Sequence, residues 1–81
     1  MMPPLKKFKR LDVREMLRQG IEPCSPIFAR IDALKADEGL IIVAPFLPSP
    51  LIERLGGQGF ASKVGRGTGT DWLVYFWREA A

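Results

Sequence analysis

Three observations predict an α+β fold, a two-layer β-α-β-α-β-β sandwich with a four-stranded mixed sheet and two helices on one face. Short apolar or alternating runs at residues 11–14, 40–44, 60–64 and 71–78 have the length and composition of strands. Two Ser-Pro pairs, Ser25-Pro26 and Ser49-Pro50, each open a stretch with apolar residues at helical spacing. The chain of 81 residues has room for one core only.

The lead-in, Met1 to Leu5 with Pro3-Pro4, offers little to bury. Residues 1–9 are therefore expected as a flexible basic arm and 10–81 as a single domain. In Leu11-Asp12-Val13-Arg14 the apolar side chains point one way and the charged ones the other, which marks a strand with one buried face. Residues 14–20 are polar and too short for a stable helix on their own, with Gly20 ending a turn. Ser25-Pro26 is expected to cap a helix near 25–36. Ile27, Ile31 and Leu34 form its apolar stripe, Phe28 widens it, and Asp37-Glu38-Gly39 stops it.

Leu40 to Ala44 is apolar on both faces, as a central strand is. The second helix, near 49–56, carries Leu51, Ile52 and Leu55, and Gly56-Gly57 is expected to close it in the left-handed conformation. Phe60 to Val64 forms the third strand, Gly65 to Thr70 a hairpin loop, and Asp71 to Arg78 the last strand. Right-handed crossover makes the first two strands parallel.

Charge is uneven. Lys6, Lys7, Lys9 and Arg10 lie within the first ten residues, while the rest of the chain has eight Lys/Arg against nine Asp/Glu. The basic arm suits nucleic acid or anionic lipid, though such a run is more often a solvated terminus. One cysteine excludes an internal disulfide framework and points to a reducing compartment. The start lacks the apolar run of a secretory signal, and the longest such run is too short to span a bilayer, so a cytoplasmic location without membrane association is expected. With no histidine, Ser-His and Cys-His pairs and the commonest zinc ligand are absent. No metal and no cofactor is expected.

Cys24 is the candidate reactive group. At a helix start, unpaired amides and the helix dipole favour thiolate, which predicts a lowered thiol pKa, with Arg14 and Arg18 adding positive potential and Glu22 as a candidate general base. The alternative is a small, packed apolar side chain. Asp12 and Arg14 are expected to form an ion pair. The last strand is apolar on both faces: Trp72, Val74 and Phe76 on one, Leu73, Tyr75 and Trp77 on the other. A two-layer fold covers one of these. Leu73, Tyr75 and Trp77, joined by Ile41 and Val43 of the neighbouring strand, are therefore expected to form a partner surface or homodimer face.

Taken in order, Leu11-Asp12-Val13-Arg14, Glu22-Pro23 entering a helix, the apolar strand, Pro48-x-Pro50-Leu51 and Trp72-x-Val74-x-Phe76 resemble a bacterial family. It is numbered 2249 among the domains of unknown function and is related to the TusA-like (SirA-like) sulfur-carrier proteins. The resemblance covers roughly residues 10 to 79. It implies strand order 1-2-4-3 and a small accessory or carrier protein, not a stand-alone enzyme, acting through persulfide transfer or redox-linked partner binding. The sulfur carriers open their first helix with Cys-Pro-x-Pro, the cysteine bearing the persulfide. Here the order is Glu22-Pro23-Cys24-Ser25-Pro26, with Glu22-Pro23 nearest the Cys-Pro register. Some relatives carry histidine where Phe46 stands. Two further readings compete: an RNA-binding module using the basic arm with Tyr75 and Trp77, and a purely protein–protein interaction module.

Overall fold

The structure is a computed structural model that describes residues 2–67 and 69–79. After a 3-10 turn at Leu5–Lys7, the elements run β1 (Phe8–Asp12), α1 (Arg14–Arg18), α2 (Cys24–Asp32), β2 (Gly39–Ala44), α3 (Ser49–Gly56), β3 (Phe60–Arg66) and β4 (Trp72–Arg78). The sheet order is β1-β2-β4-β3, with β1 and β2 parallel and the other two pairs antiparallel. The strand directions are those read from the sequence, and the strand order is the one the family resemblance implies.

Residues paired across the ladders share a face, so the register sorts the side chains into two layers. Leu40, Ile42 and Ala44 of β2 lie with Val74 and Phe76 of β4 on the face that α2 and α3 cover through Ile27, Ile31, Leu51 and Leu55. This is the core. The opposite face is built in cross-strand rows: Phe8–Gly39–Trp77–Ala61, then Arg10–Ile41–Tyr75–Lys63, then Asp12–Val43–Leu73–Gly65.

Several local expectations are corrected. β1 runs from Phe8 to Asp12 rather than over 11–14, taking in Phe8 and Lys9 of the expected arm. Val13 remains buried and hydrogen-bonds from its amide to the Val43 carbonyl at 3.0 Å, one step past the strand's end. The segment judged too short for a helix forms α1, because its ends are closed and its apolar side is used. Met16 and Leu17 pack on the core. Gly20, at φ 75°, donates to the Leu17 carbonyl (3.1 Å) and Ile21 to that of Met16 (2.8 Å), a Schellman closure.

α2 starts at Cys24 and ends at Asp32, four residues before the expected stop, with Pro23 and not Ser25 at its N-cap. At the end of α3, Gly57 keeps right-handed dihedrals, and the positive φ falls on Gly59, at 92°. Gly65 and Arg66 belong to β3 and not to the loop. Thr68, placed in that loop by the sequence, lies outside the described residues. Among the described residues no helix is long and apolar enough to cross a membrane.

Candidate functional site

The parallel β1–β2 pair sends its C-terminal ends toward one edge of the sheet, where α1, the first turn of α2, the loop after β2 and the start of α3 meet. Proline shapes this edge. Pro23 precedes α2, Pro45 ends β2, and Pro48 and Pro50 bracket the start of α3. Between the two helix starts lies a groove of about 210 Å³ whose lining includes Leu17, Pro23, Cys24, Phe46, Pro48 and Leu51. Cys24 is a half-buried free thiol at this groove, and Phe46 on its wall is 51 % exposed.

Glu22 controls the thiol. Its carboxylate accepts the Cys24 amide at 2.6 Å. The Cys24 side chain first, and then the amides of Cys24 and Ser25, hold the Glu22 carboxyl below its ordinary range. The same contact acts on Cys24 in reverse. Hydrogen bonding to a carboxylate, and then burial, push the thiol above its ordinary value. The sequence expectation of a lowered thiol pKa is therefore overturned. The positive end of α2 is already answered by an anion, and the sulfur beside that anion keeps its proton.

Arg14 and Arg18 do not serve the thiol. Arg14 forks onto the Asp12 carboxylate (Nε–Oδ1 2.9 Å, Nη2–Oδ2 2.5 Å) and reaches Asp71 with its other nitrogen at 2.5 Å. The expected Asp12–Arg14 pair is present, and Asp71 extends it to the loop that leads into β4. Arg18 pairs with Glu15. The cation whose charge acts on Glu22 and Cys24 is Arg54 of α3, whose guanidinium lies 4.8 Å from the centre of the Phe28 ring. Phe28 stands one helical turn beyond Cys24 on the same side of α2. Sequence reasoning missed Arg54, because only the packing of α3 beside α2 brings it near. Among the described residues no group of three or more His, Cys, Asp or Glu gathers to hold a metal ion.

The five residues expected as a partner surface do share the helix-free face, but they do not form an open patch. Val43 is 2 % and Trp77 8 % exposed, and Ile41, Leu73 and Tyr75 are half-buried. The Phe8 ring lies edge-on to Tyr75 and Trp77, at centroid distances of 5.6 and 6.4 Å. The basic arm is likewise engaged. Lys7 pairs with Asp37 at 3.2 Å and Lys9 with Glu38 at 3.8 Å.

With this geometry in hand, comparison with known families finds a match over residues 10–78 to the family described as "Uncharacterized conserved protein (DUF2249)". The chain belongs to that family. The match takes in all four strands except the first two residues of β1, and all of α1, α2 and α3. Comparison with curated proteins finds no match, and neither does comparison with solved structures.

Proposed function

We propose that this protein is a small non-enzymatic accessory or carrier protein that meets a protein partner at the groove end of its sheet and carries sulfur on Cys24, in the manner of the TusA-like carriers its sequence resembles. One observation carries the reading: Cys24 is a free cysteine half-buried at an apolar groove between two helix starts, with the Glu22 carboxylate beside it. A thiol kept neutral reacts slowly with small oxidants and electrophiles, because the thiolate is the nucleophile. Cargo then has to be delivered by a partner seated at the groove.

In the transfer, the Glu22 carboxylate takes the Cys24 proton and the resulting thiolate attacks the outer sulfur of a donor persulfide. The donor's S–S bond breaks as the new one forms on Cys24, and the thiol proton of Cys24 ends on the departing donor thiol. No oxidant or reductant is consumed. The ion pairs of Lys7 and Lys9 favour this reading over RNA binding, since they commit part of the basic arm within the molecule.

The test is the state of Cys24 in protein isolated from cells without reductant. The reading expects a mass increase of one sulfur atom on the peptide containing Cys24, removed by reductant and absent from Cys24→Ser. A free thiol recovered under conditions that preserve persulfides would defeat sulfur carriage.

A further inference from the structure

Helices α2 and α3 both begin at the groove and meet again one turn further on. Pro50 and Leu51 of α3 line the groove with Cys24, and Arg54 stands one turn beyond them on the same side. Phe28 stands one turn beyond Cys24, and the Arg54 guanidinium lies 4.8 Å from the centre of its ring. That stack holds a long, exposed side chain in place. Side chains on a helix lean toward its N-terminus, so Arg54 reaches back toward the groove, where its charge acts on both Glu22 and Cys24. Arg14 and Arg18 are spent on carboxylates, whereas among the described residues no carboxylate lies within ion-pair distance of Arg54. A guanidinium with open donors is thus parked beside the thiol.

When Glu22 takes the Cys24 proton it becomes neutral, and the negative charge passes to sulfur. On a loaded thiol that charge sits on the outer sulfur, because a persulfide S–H is more acidic than the thiol it replaces. Of the two charged groups that act on Cys24, only Arg54 is a cation. We propose that Arg54 makes Cys24 an acceptor of negatively charged groups, its guanidinium taking the charge of the outer sulfur once the thiol is loaded. The use for sulfur rests on Cys24 being a carrier; the preference for anionic groups at the thiol does not.

Alkylation of the full-length chain with iodoacetate and with neutral iodoacetamide tests this. Iodoacetate adds a carboxylate two bonds beyond the sulfur, close to where an outer sulfur would carry its charge. Both reagents attack the same thiolate, so the ratio of their rates cancels any change in thiolate fraction and reads the pull on the incoming anion alone. Arg54→Gln is expected to lower the iodoacetate-to-iodoacetamide ratio about two- to fivefold in low-salt buffer, the effect of one charge several ångströms away at a protein surface. Arg54→Lys, which keeps the charge, should hold most of the ratio, and added salt should narrow the gap between wild type and Arg54→Gln. Far-UV circular dichroism checks that each variant is folded. An unchanged ratio in folded Arg54→Gln overturns the proposal. So does a ratio that falls as far in Arg54→Lys, which would assign the effect to packing on Phe28. The mass of Cys24 from cells reads carriage separately: sulfur found there with an unchanged ratio removes Arg54 and leaves the carrier standing, while a lowered ratio without sulfur supports the anion preference and defeats carriage.

Discussion

Arg78, the last residue of β4, donates through its guanidinium to the carbonyl of Leu34, 3.1 Å away, and reaches that of Ile31 at 3.5 Å. A strand thereby caps the C-terminal end of α2, where carbonyls lack partners and a positive charge is favoured. The same guanidinium lies 5.3 Å from the centre of the Phe60 ring.

Arg78→Ala should therefore lower stability by about 1–2 kcal/mol, the usual worth of a charged hydrogen bond at a helix end. Arg78→Lys should fall between, keeping charge but losing the planar fork. Urea titration measures this, with an unchanged denaturant slope. No loss of stability would mean that water replaces the cap at no cost.

The Glu22–Cys24 contact predicts reactivity with a definite sign. The raised thiol pKa means that native Cys24 alkylates more slowly near neutral pH than the denatured chain, with its rate rising at higher pH. Glu22→Gln removes the charge and should speed native alkylation and shift its pH midpoint down. Linkage follows the same signs. The stabilisation from the raised thiol pKa is present below the unfolded thiol's pKa and lost as pH rises through the folded one. That from the lowered Glu22 pKa is present above the ordinary carboxylate value and lost on acidification. A Glu22→Gln rate profile identical to wild type would remove Glu22 from control of the sulfur.

The Asp12–Arg14–Asp71 network predicts acid sensitivity. The side-chain bond from Arg14 lowers the Asp12 pKa, so its stabilising effect is complete above the ordinary carboxylate range and disappears as pH falls through the folded value. Arg14→Met should lose stability at neutral pH and show a shallower fall in Tm on acidification below about pH 4, where free aspartate begins to protonate. Parallel Tm–pH curves for the two proteins would show that the network adds nothing.

The sheet was legible in the sequence because its signals are local. Leu40 to Ala44 could be little other than a central strand, and the prolines set the starts of α2 and α3 to within a residue. The start of β1 was not legible. Lys9 and Arg10 break the alternation that would have shown Phe8 as part of the strand, and its seat is an absent side chain on Gly39, thirty-odd positions away. α1 was missed because one turn of helix has almost no intrinsic stability, and its support comes from Gly20 and the core. At the candidate site, Cys24 and Glu22 were legible as neighbours. Their electrostatics were not, since the expectation credited the helix end with a free positive potential that Glu22 had already taken.

The order 1-2-4-3 also governs how the molecule is completed. β2 has β1 on one side from early in the chain, but its other side waits for β4, and β3 is unpaired until β4 arrives. During synthesis from the amino end, two unsatisfied strand edges thus persist until residues 72–78 have been made. Their arrival closes both at once. A nascent chain stalled before Trp72 should accordingly lack a protease-resistant core and attract chaperones, and the fold should form in one late cooperative step rather than strand by strand.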